Sequence, residues 1–261
     1  MRKKAKIEDL VKLMQRLRSK NGCPWDKKQT PQSLKTYIIE EAYELTEAIE
    51  DGDPEKICDE LGDLLFQVIF QAQIFSEQKK FELSDVIERI YRKMLLRHPH
   101  IFGGKKCRTP EQVKRQWVEI KKASNPEKSI LGEVPKSLPA LMRARRITDN
   151  ASQVGFDWES TRDVMAKLDE EWNELKRAIH SGRKAEIEDE LGDILFVLVN
   201  LSRFLKLNPE DALNKTTRKF ENRFHYIEAQ AKKQGKNLKE MTLAEMDRLW
   251  EQAKRMKIKG D

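Results

Sequence analysis

Apolar residues at Leu34, Ile38, Leu45, Ala48 and Ile49 fall on one side of a 3.6-residue period, which predicts a helix through this stretch. The segment IEDGDP then interrupts the pattern: Gly52 suits a helix C-cap, and Asp53-Pro54 suits the start of another helix. The second helix is predicted from about Pro54 to Ser76. Between Leu64 and Phe75 it is apolar nearly all round, so this half is expected to be buried. Two helices joined by so short a turn must lie antiparallel.

The same pattern occurs twice. Residues 40–66 read EEAYELTEAIEDGDPEKICDELGDLLF and residues 170–196 read EEWNELKRAIHSGRKAEIEDELGDILF. At a constant offset of 130, without a gap, 15 of 27 positions are identical, too many acidic positions in register for two unrelated helical stretches. Weaker matches flank the block. Trp25-Asp26 corresponds to Phe156-Asp157, Arg92, Lys93 and Arg97 correspond to Arg218, Lys219 and Arg223, and Trp117 corresponds to Trp250. Between the halves, residues 123–139 (ASNPEKSILGEVPKSLP) hold three prolines and many small residues and read as a linker. The expected organisation is a first domain over 1–122, a linker over 123–139 and a second domain over 140–261.

Within each repeat the acidic residues are placed to meet. Glu41 and Glu44 are three apart on the first predicted helix, and Glu60 and Asp63 are three apart on the second. An antiparallel hairpin can bring these pairs face to face, and Glu171, Glu174, Glu190 and Asp193 repeat the arrangement. Two like charges about 6 Å apart cost roughly 3 kcal/mol at an effective dielectric near 20, so four clustered carboxylates call for a cation. All-oxygen ligands suit Mg²⁺ or Mn²⁺. A lone E-x-x-E is usually a solvated helix face, but two facing pairs repeated in register are not. A di-iron bundle would need Glu-x-x-His ligands, which neither repeat offers.

Composition agrees with helices: 36% of residues are charged, 7% aromatic, and glycine and proline number only 11 and 9. The net charge of +7 suits a polyanionic small molecule, nucleic acid, or simply a lysine-rich surface. Cys23, Cys58 and Cys107 are odd in number and widely spaced, so neither disulfides nor a zinc site is expected and a reducing cytosol fits. The N-terminus lacks an apolar signal region, and no run approaches the roughly 18 apolar residues of a membrane span, so a cytoplasmic protein is expected. Gly103-Gly104-Lys105-Lys106 lacks the spacing of a phosphate loop and reads as a turn; His98 and His100, flanking Pro99, suit capping or turn roles.

The pattern E-E-x-x-E, short turn, E-x-x-D resembles that of the MazG family of nucleotide pyrophosphohydrolases. CPWD (23–26) with Gln29-Thr30, and RHPHIFG (97–103), are similar to features of its two-domain members, and the resemblance covers nearly the whole chain. It implies an all-α protein of two tandem MazG-like helical-bundle domains joined by a proline-containing linker. The implied activity is Mg²⁺-dependent hydrolysis of (deoxy)nucleoside triphosphates to monophosphate and pyrophosphate, with Mn²⁺ as a substitute ion. Carried over, the metal ligands are Glu41, Glu44, Glu60 and Asp63, then Glu171, Glu174, Glu190 and Asp193. Lys219, Arg223 and Trp250 correspond to substrate-binding positions. The C-terminal copy often performs catalysis in two-domain members, so Glu171, Glu174, Glu190 and Asp193 are the expected catalytic set. The resemblance also implies a homodimer.

The residues themselves allow more than one use. Lys219 and Arg223 share a helix face suited to phosphates or simply to solvent, and Trp250 suits base stacking or a core. Glu40 or Glu170 could orient a water. The rival functions are a nucleic-acid or protein-binding module, supported only by the basic charge, and a related helical pyrophosphohydrolase dedicated to dUTP or phosphoribosyl-ATP. Neither nucleic acid nor membrane is the expected partner.

Overall fold

A computed structural model describes residues 4–104, 107–124 and 129–256. Lys105, Lys106 and part of the expected linker therefore lie outside the described residues. Those described form twelve α-helices, a 3-10 turn and no strand. The chain divides into two compact units, Met1–Lys121 and Lys122–Asp261.

The first unit contains α1 (Ile7–Arg18), α2 (Pro24–Lys28), α3 (Lys35–Asp51), α4 (Pro54–Glu77), α5 (Leu83–Arg97), α6 (Pro99–Phe102) and most of α7 (Pro110–Ser124). The expected hairpin is α3 and α4, which pack along each other. Gly52 ends α3 in the left-handed region (φ 70°), where a side chain would be strained, and Asp53 caps α4 by accepting from the amides of Glu55 and Lys56. Met14, Leu34, Ile69, Phe70 and Ile74 form the core, joining α1 and the start of the hairpin to the far half of α4. Arg18 braces the far end of α4. Its Nη2 lies 2.8 Å from Glu77 Oε2, its guanidinium also donates to the Asp26 carbonyl, and it stands over the Phe70 ring.

The second unit contains α8 (Ala140–Ser152), α9 (Thr161–Ser181), α10 (Lys184–Phe204), α11 (Pro209–Lys233), the 3-10 turn at Leu238–Glu240 and α12 (Leu243–Arg255). Here α9 and α10 form the hairpin, with Gly182 (φ 71°) in the place of Gly52. The helix α8 packs on α10 and α11, and α11 on α12. The carbonyl of Leu131 accepts from Asn150 Nδ2 at 2.6 Å, so part of the proline-containing segment is tied to α8.

One difference separates the second unit from a simple repeat of the first. In the first unit Pro99, which has no amide hydrogen and cannot continue a helix, ends α5, whereas α11 runs unbroken for 25 residues. His98 closes α5 with Nδ1 2.7 Å from the Met94 carbonyl, whereas His100 Nδ1 reaches Gln116 Oε1 at 3.0 Å and ties α6 to α7. Both hairpins depart from the expectation that the apolar half of α4 is wholly buried. Leu65 and Val68 are exposed, as is Leu61 one turn earlier, and so are their counterparts Leu191, Leu195 and Leu198 on α10. One hairpin covers only one side of a helix that is apolar all round.

The start of α12 makes a pH test of the helix caps. Glu245 accepts from the Thr242 amide at 2.9 Å and from Lys236 Nζ at 2.6 Å. The Lys236 bond, followed by the Thr242 donors, draws its pKa down to about 2. A depressed carboxylate contributes stability above its unfolded value, about 4.3, and loses it as pH falls toward the folded value. Glu245→Gln is therefore expected to lower the urea midpoint at pH 7, with the gap to wild type narrowing on acidification from about pH 5 to about pH 3.

Candidate metal and phosphate site

Helix geometry and a tight turn together set the site. In the first hairpin, carboxylate oxygens of Glu41, Glu60 and Asp63 all lie within 4.8 Å of one another; in the second, those of Glu171, Glu174 and Glu190 do. Each expected set of four is thus represented by three members, and the fourth acts at the edge. Glu44 lies close enough to Glu60 that, after burial, it is the first of the neighbouring acids to raise the Glu60 proton affinity. Asp193 is exposed, yet its charge bears on Glu190.

The electrostatics record the crowding. Burial first, then the neighbouring acids, raise the proton affinity of Glu60 and Glu190. Burial also raises that of Glu41, with Asp63, Glu44 and Glu60 adding to it against an opposing bond from Gln67. Glu190 Oε2 is buried and has no hydrogen-bond partner. A buried carboxylate oxygen left without a donor, inside a set of oxygen ligands, fits a hard divalent cation.

The two hairpins support their first glutamate differently. Gln67 Nε2 donates to Glu41 Oε1 at 3.4 Å, a long bond. Glu171, almost fully buried, instead pairs with Lys167 Nζ at 2.7 Å, and the same ammonium reaches Glu170 at 2.8 Å. Glu170, a candidate for orienting water, is thus held by Lys167, whose own pKa is raised by the two glutamates. Arg177 Nη2 lies 2.9 Å from Glu174 Oε1, and its charge partly offsets the acids around Glu190. Lys167 and Arg177 leave no signal in the repeat, because the first copy has Tyr37 and Glu47 at the equivalent positions.

Lys219 and Arg223 lie one turn apart on α11, both half-buried. The Arg223 guanidinium stands 5.5 Å from the centroid of Trp250, and Phe220 stands 5.2 Å from the same ring. Trp250 packs against the cluster of Ile227, Ala231, Met241 and Leu249, so it anchors α11 to α12 while presenting a face to Arg223.

Paired acids turned inward from a two-helix hairpin, present twice in an all-helical chain, define a class: helical proteins whose clustered carboxylates could hold a cation. The sequence profile of the MazG nucleotide pyrophosphohydrolase domain matches residues 29–102 and 159–227, one segment in each unit. Similar proteins include the nucleoside triphosphate pyrophosphohydrolase/pyrophosphatase MazG of Thermotoga maritima, 47% identical over 250 residues covering 95% of each chain. The nucleoside triphosphate pyrophosphohydrolase of Escherichia coli K12 is 40% identical over 97% of this chain and 98% of its own. A MazG-related protein from Thermotoga maritima of known structure covers 44% of this chain at 27% identity, with a TM-score of 0.39. The chain belongs to the MazG family of nucleotide pyrophosphohydrolases.

The site makes a prediction free of any assay of turnover. Glu190→Gln removes one charge from a crowded set, so the metal-free variant is expected to melt higher than metal-free wild type. In a Glu41→Gln background, where only the second cluster is complete, added Mg²⁺ should raise the melting temperature, and with Glu190→Gln also present it should leave it nearly unchanged, as differential scanning fluorimetry with and without EDTA will register.

Proposed function

We propose that the chain hydrolyses (deoxy)nucleoside triphosphates to monophosphate and pyrophosphate in the presence of Mg²⁺, mainly in its second unit. The observation supporting this is the cluster of Glu171, Glu174 and Glu190, with one glutamate oxygen lacking any donor and two basic side chains, Lys167 and Arg177, at its edge. Glu171, Glu174, Glu190 and Asp193 are the residues that would hold Mg²⁺, with Mn²⁺ as a substitute; Glu41, Glu44, Glu60 and Asp63 are their equivalents in the first unit. When bound, the cation neutralises phosphate charge and acidifies water.

The protein's own groups supply the rest. Lys167 holds Glu171 in place through their ion pair. Lys219 and Arg223 supply positive charge for the phosphates, and Trp250 offers an aromatic face near Arg223. In the reaction, a water adds to phosphorus at the α–β bridge, that P–O bond breaks, and pyrophosphate leaves as the water's proton passes to solvent or a carboxylate. The domains are taken as 1–122 and 140–261, with 123–139 between them. Among the described residues no helix is long and apolar enough to cross a membrane, and Cys23, Cys58 and Cys107 are free thiols, which suits a cytoplasmic setting.

Full-length protein with a panel of nucleoside triphosphates and Mg²⁺ is expected to release pyrophosphate. Glu171→Gln should cost at least about 100-fold in kcat, while Glu41→Gln keeps most of the activity. Turnover retained in Glu171→Gln would remove the second unit from the mechanism.

A homodimer completes this reading. Leu61, Leu65 and Val68 expose an apolar strip on α4, and Leu191, Leu195 and Leu198 do so on α10, on hairpins that otherwise cover only their inner faces. The expected mass by light scattering is that of two chains, and Leu65→Glu with Leu195→Glu should shift it to one. A wild-type monomer at micromolar concentration would contradict the assignment.

A further inference from the structure

Within the aligned 27-residue block, the two repeats differ most in charge, and those changes all fall at the turn end of each hairpin. Between the second and third acidic positions, residues 45–59 contain six acids and one lysine, a net −5. The equivalent residues 175–189 contain four lysines and arginines and three acids, a net +1. Glu47 is replaced by Arg177, Asp51 by Ser181 and Asp53 by Arg183. These three second-unit residues line one open concavity of about 280 Å³ together with Glu174, Glu186 and Glu190. Two of the acids of the metal cluster and two arginines thus face the same space.

Helix stability does not explain this replacement. Asp53 caps α4 with bonds to two amides, whereas Arg183 at the same place makes no side-chain cap to α10. It also sets a cation at the helix end that favours anions. Loss of an aspartate cap costs about 1 kcal/mol. The ion pairs gained, Arg177–Glu174 and Arg183–Glu186, join arginines about 70% exposed, and such surface pairs contribute little. A local rule is broken at the rim of a functional cluster, where the compensation is expected in function.

We infer that Arg177 and Arg183 form an anion seat at the rim of the second acidic cluster, which receives the phosphate chain of the substrate and has no counterpart in the first unit. This rests on the proposed pyrophosphohydrolase function and adds to it the residues that grip the polyphosphate. Arg177 holds Glu174 when no cation is present. A cation on Glu174 competes for that carboxylate and frees the guanidinium, whose fork of donors matches phosphate oxygens. Arg183, anchored on the turn, lines the same concavity, and its Nε donates to the Ser181 hydroxyl at 3.5 Å. In the first unit Glu47, Asp51 and Asp53 occupy these places, so its cluster can take a cation but repels a polyphosphate.

The test measures binding of an α,β-methylene nucleoside triphosphate with Mg²⁺ by calorimetry. It uses the full chain carrying Glu41→Gln, which confines the readout to the second hairpin. Arg177→Gln with Arg183→Gln is expected to weaken binding at least about tenfold, and the double Lys variant by less. Mn²⁺ titrated without nucleotide should bind the double Gln variant at least as tightly as the parent, because Glu174 has lost its competing guanidinium. Analogue affinity within twofold of the parent would overturn the seat. If the wild type still releases pyrophosphate from triphosphates in that case, the pyrophosphohydrolase reading stands alone. If the wild type hydrolyses no triphosphate, both fall.

Discussion

Carboxylates that repel one another are held together here by the geometry of a helix hairpin, and most of the local design answers that repulsion. At separations under 5 Å each pair costs on the order of 3 kcal/mol at a protein-like dielectric, more than any surface salt bridge returns. The acids cannot move apart. On one side Gly52 and Gly182 close the turns in a conformation that admits no slack. On the other, Ile69 and Phe70 of α4, and Val197 and Val199 of α10, are buried one or two turns beyond Asp63 and Asp193 and lock the helices in register. Burial first, and this repulsion after it, raises the proton affinity of Glu41, Glu60 and Glu190.

Each unit also needs a brace at the end of the hairpin away from the turn, and each uses an arginine there. Arg18 comes from α1 and pairs with Glu77 at the end of α4; burial of the arginine is offset by the carboxylate, whose pKa it lowers, and by the Asp26 carbonyl. In the second unit Arg203 comes from α10 itself, pairs with Asp157 before α9, and stands over Phe204. The direction of the pair is reversed, but the outcome is the same: the segment leading into the first helix of the hairpin is tied to the end of the second. A paired, hydrogen-bonded guanidinium can do this close to a core where a lone charge could not.

Local signals made the hairpins legible from sequence. Gly52, Asp53 and Pro54 act within a few residues, so the end of α3 and both ends of α4 fall within one or two positions of expectation. The acidic spacing is also local, because residues three apart on a helix share a face whatever surrounds them. What surrounds a helix is another matter. The run from Leu64 to Phe75 announces burial but not by what, and the chain covers Ile69 and Phe70 while leaving Leu65 and Val68 open. Trp250 suited either a core or a base-stacking role, and only the placement of α11 against α12 gives it Phe220, Arg223 and the Ile227 cluster as neighbours. Lys167 and Arg177 became visible only once the partners of Glu171 and Glu174 were known.

Duplication separates two requirements that a single hairpin would have to meet together. Holding a cation demands particular atoms at particular distances, so the acidic positions admit no change, and both repeats have all four. Accepting an anion beside that cation depends on exposed side chains around the turn, each of which alters stability by about 1 kcal/mol or less. Those positions can therefore change sign without disturbing the fold, and between Leu45 and Asp59 on one side and Leu175 and Asp189 on the other they have done so. A cluster of carboxylates alone is hostile to phosphate however well it binds metal. The basic side chains beside Glu171, Glu174 and Glu190 ease that conflict in the second unit, and the acidic turn of the first unit leaves it in place.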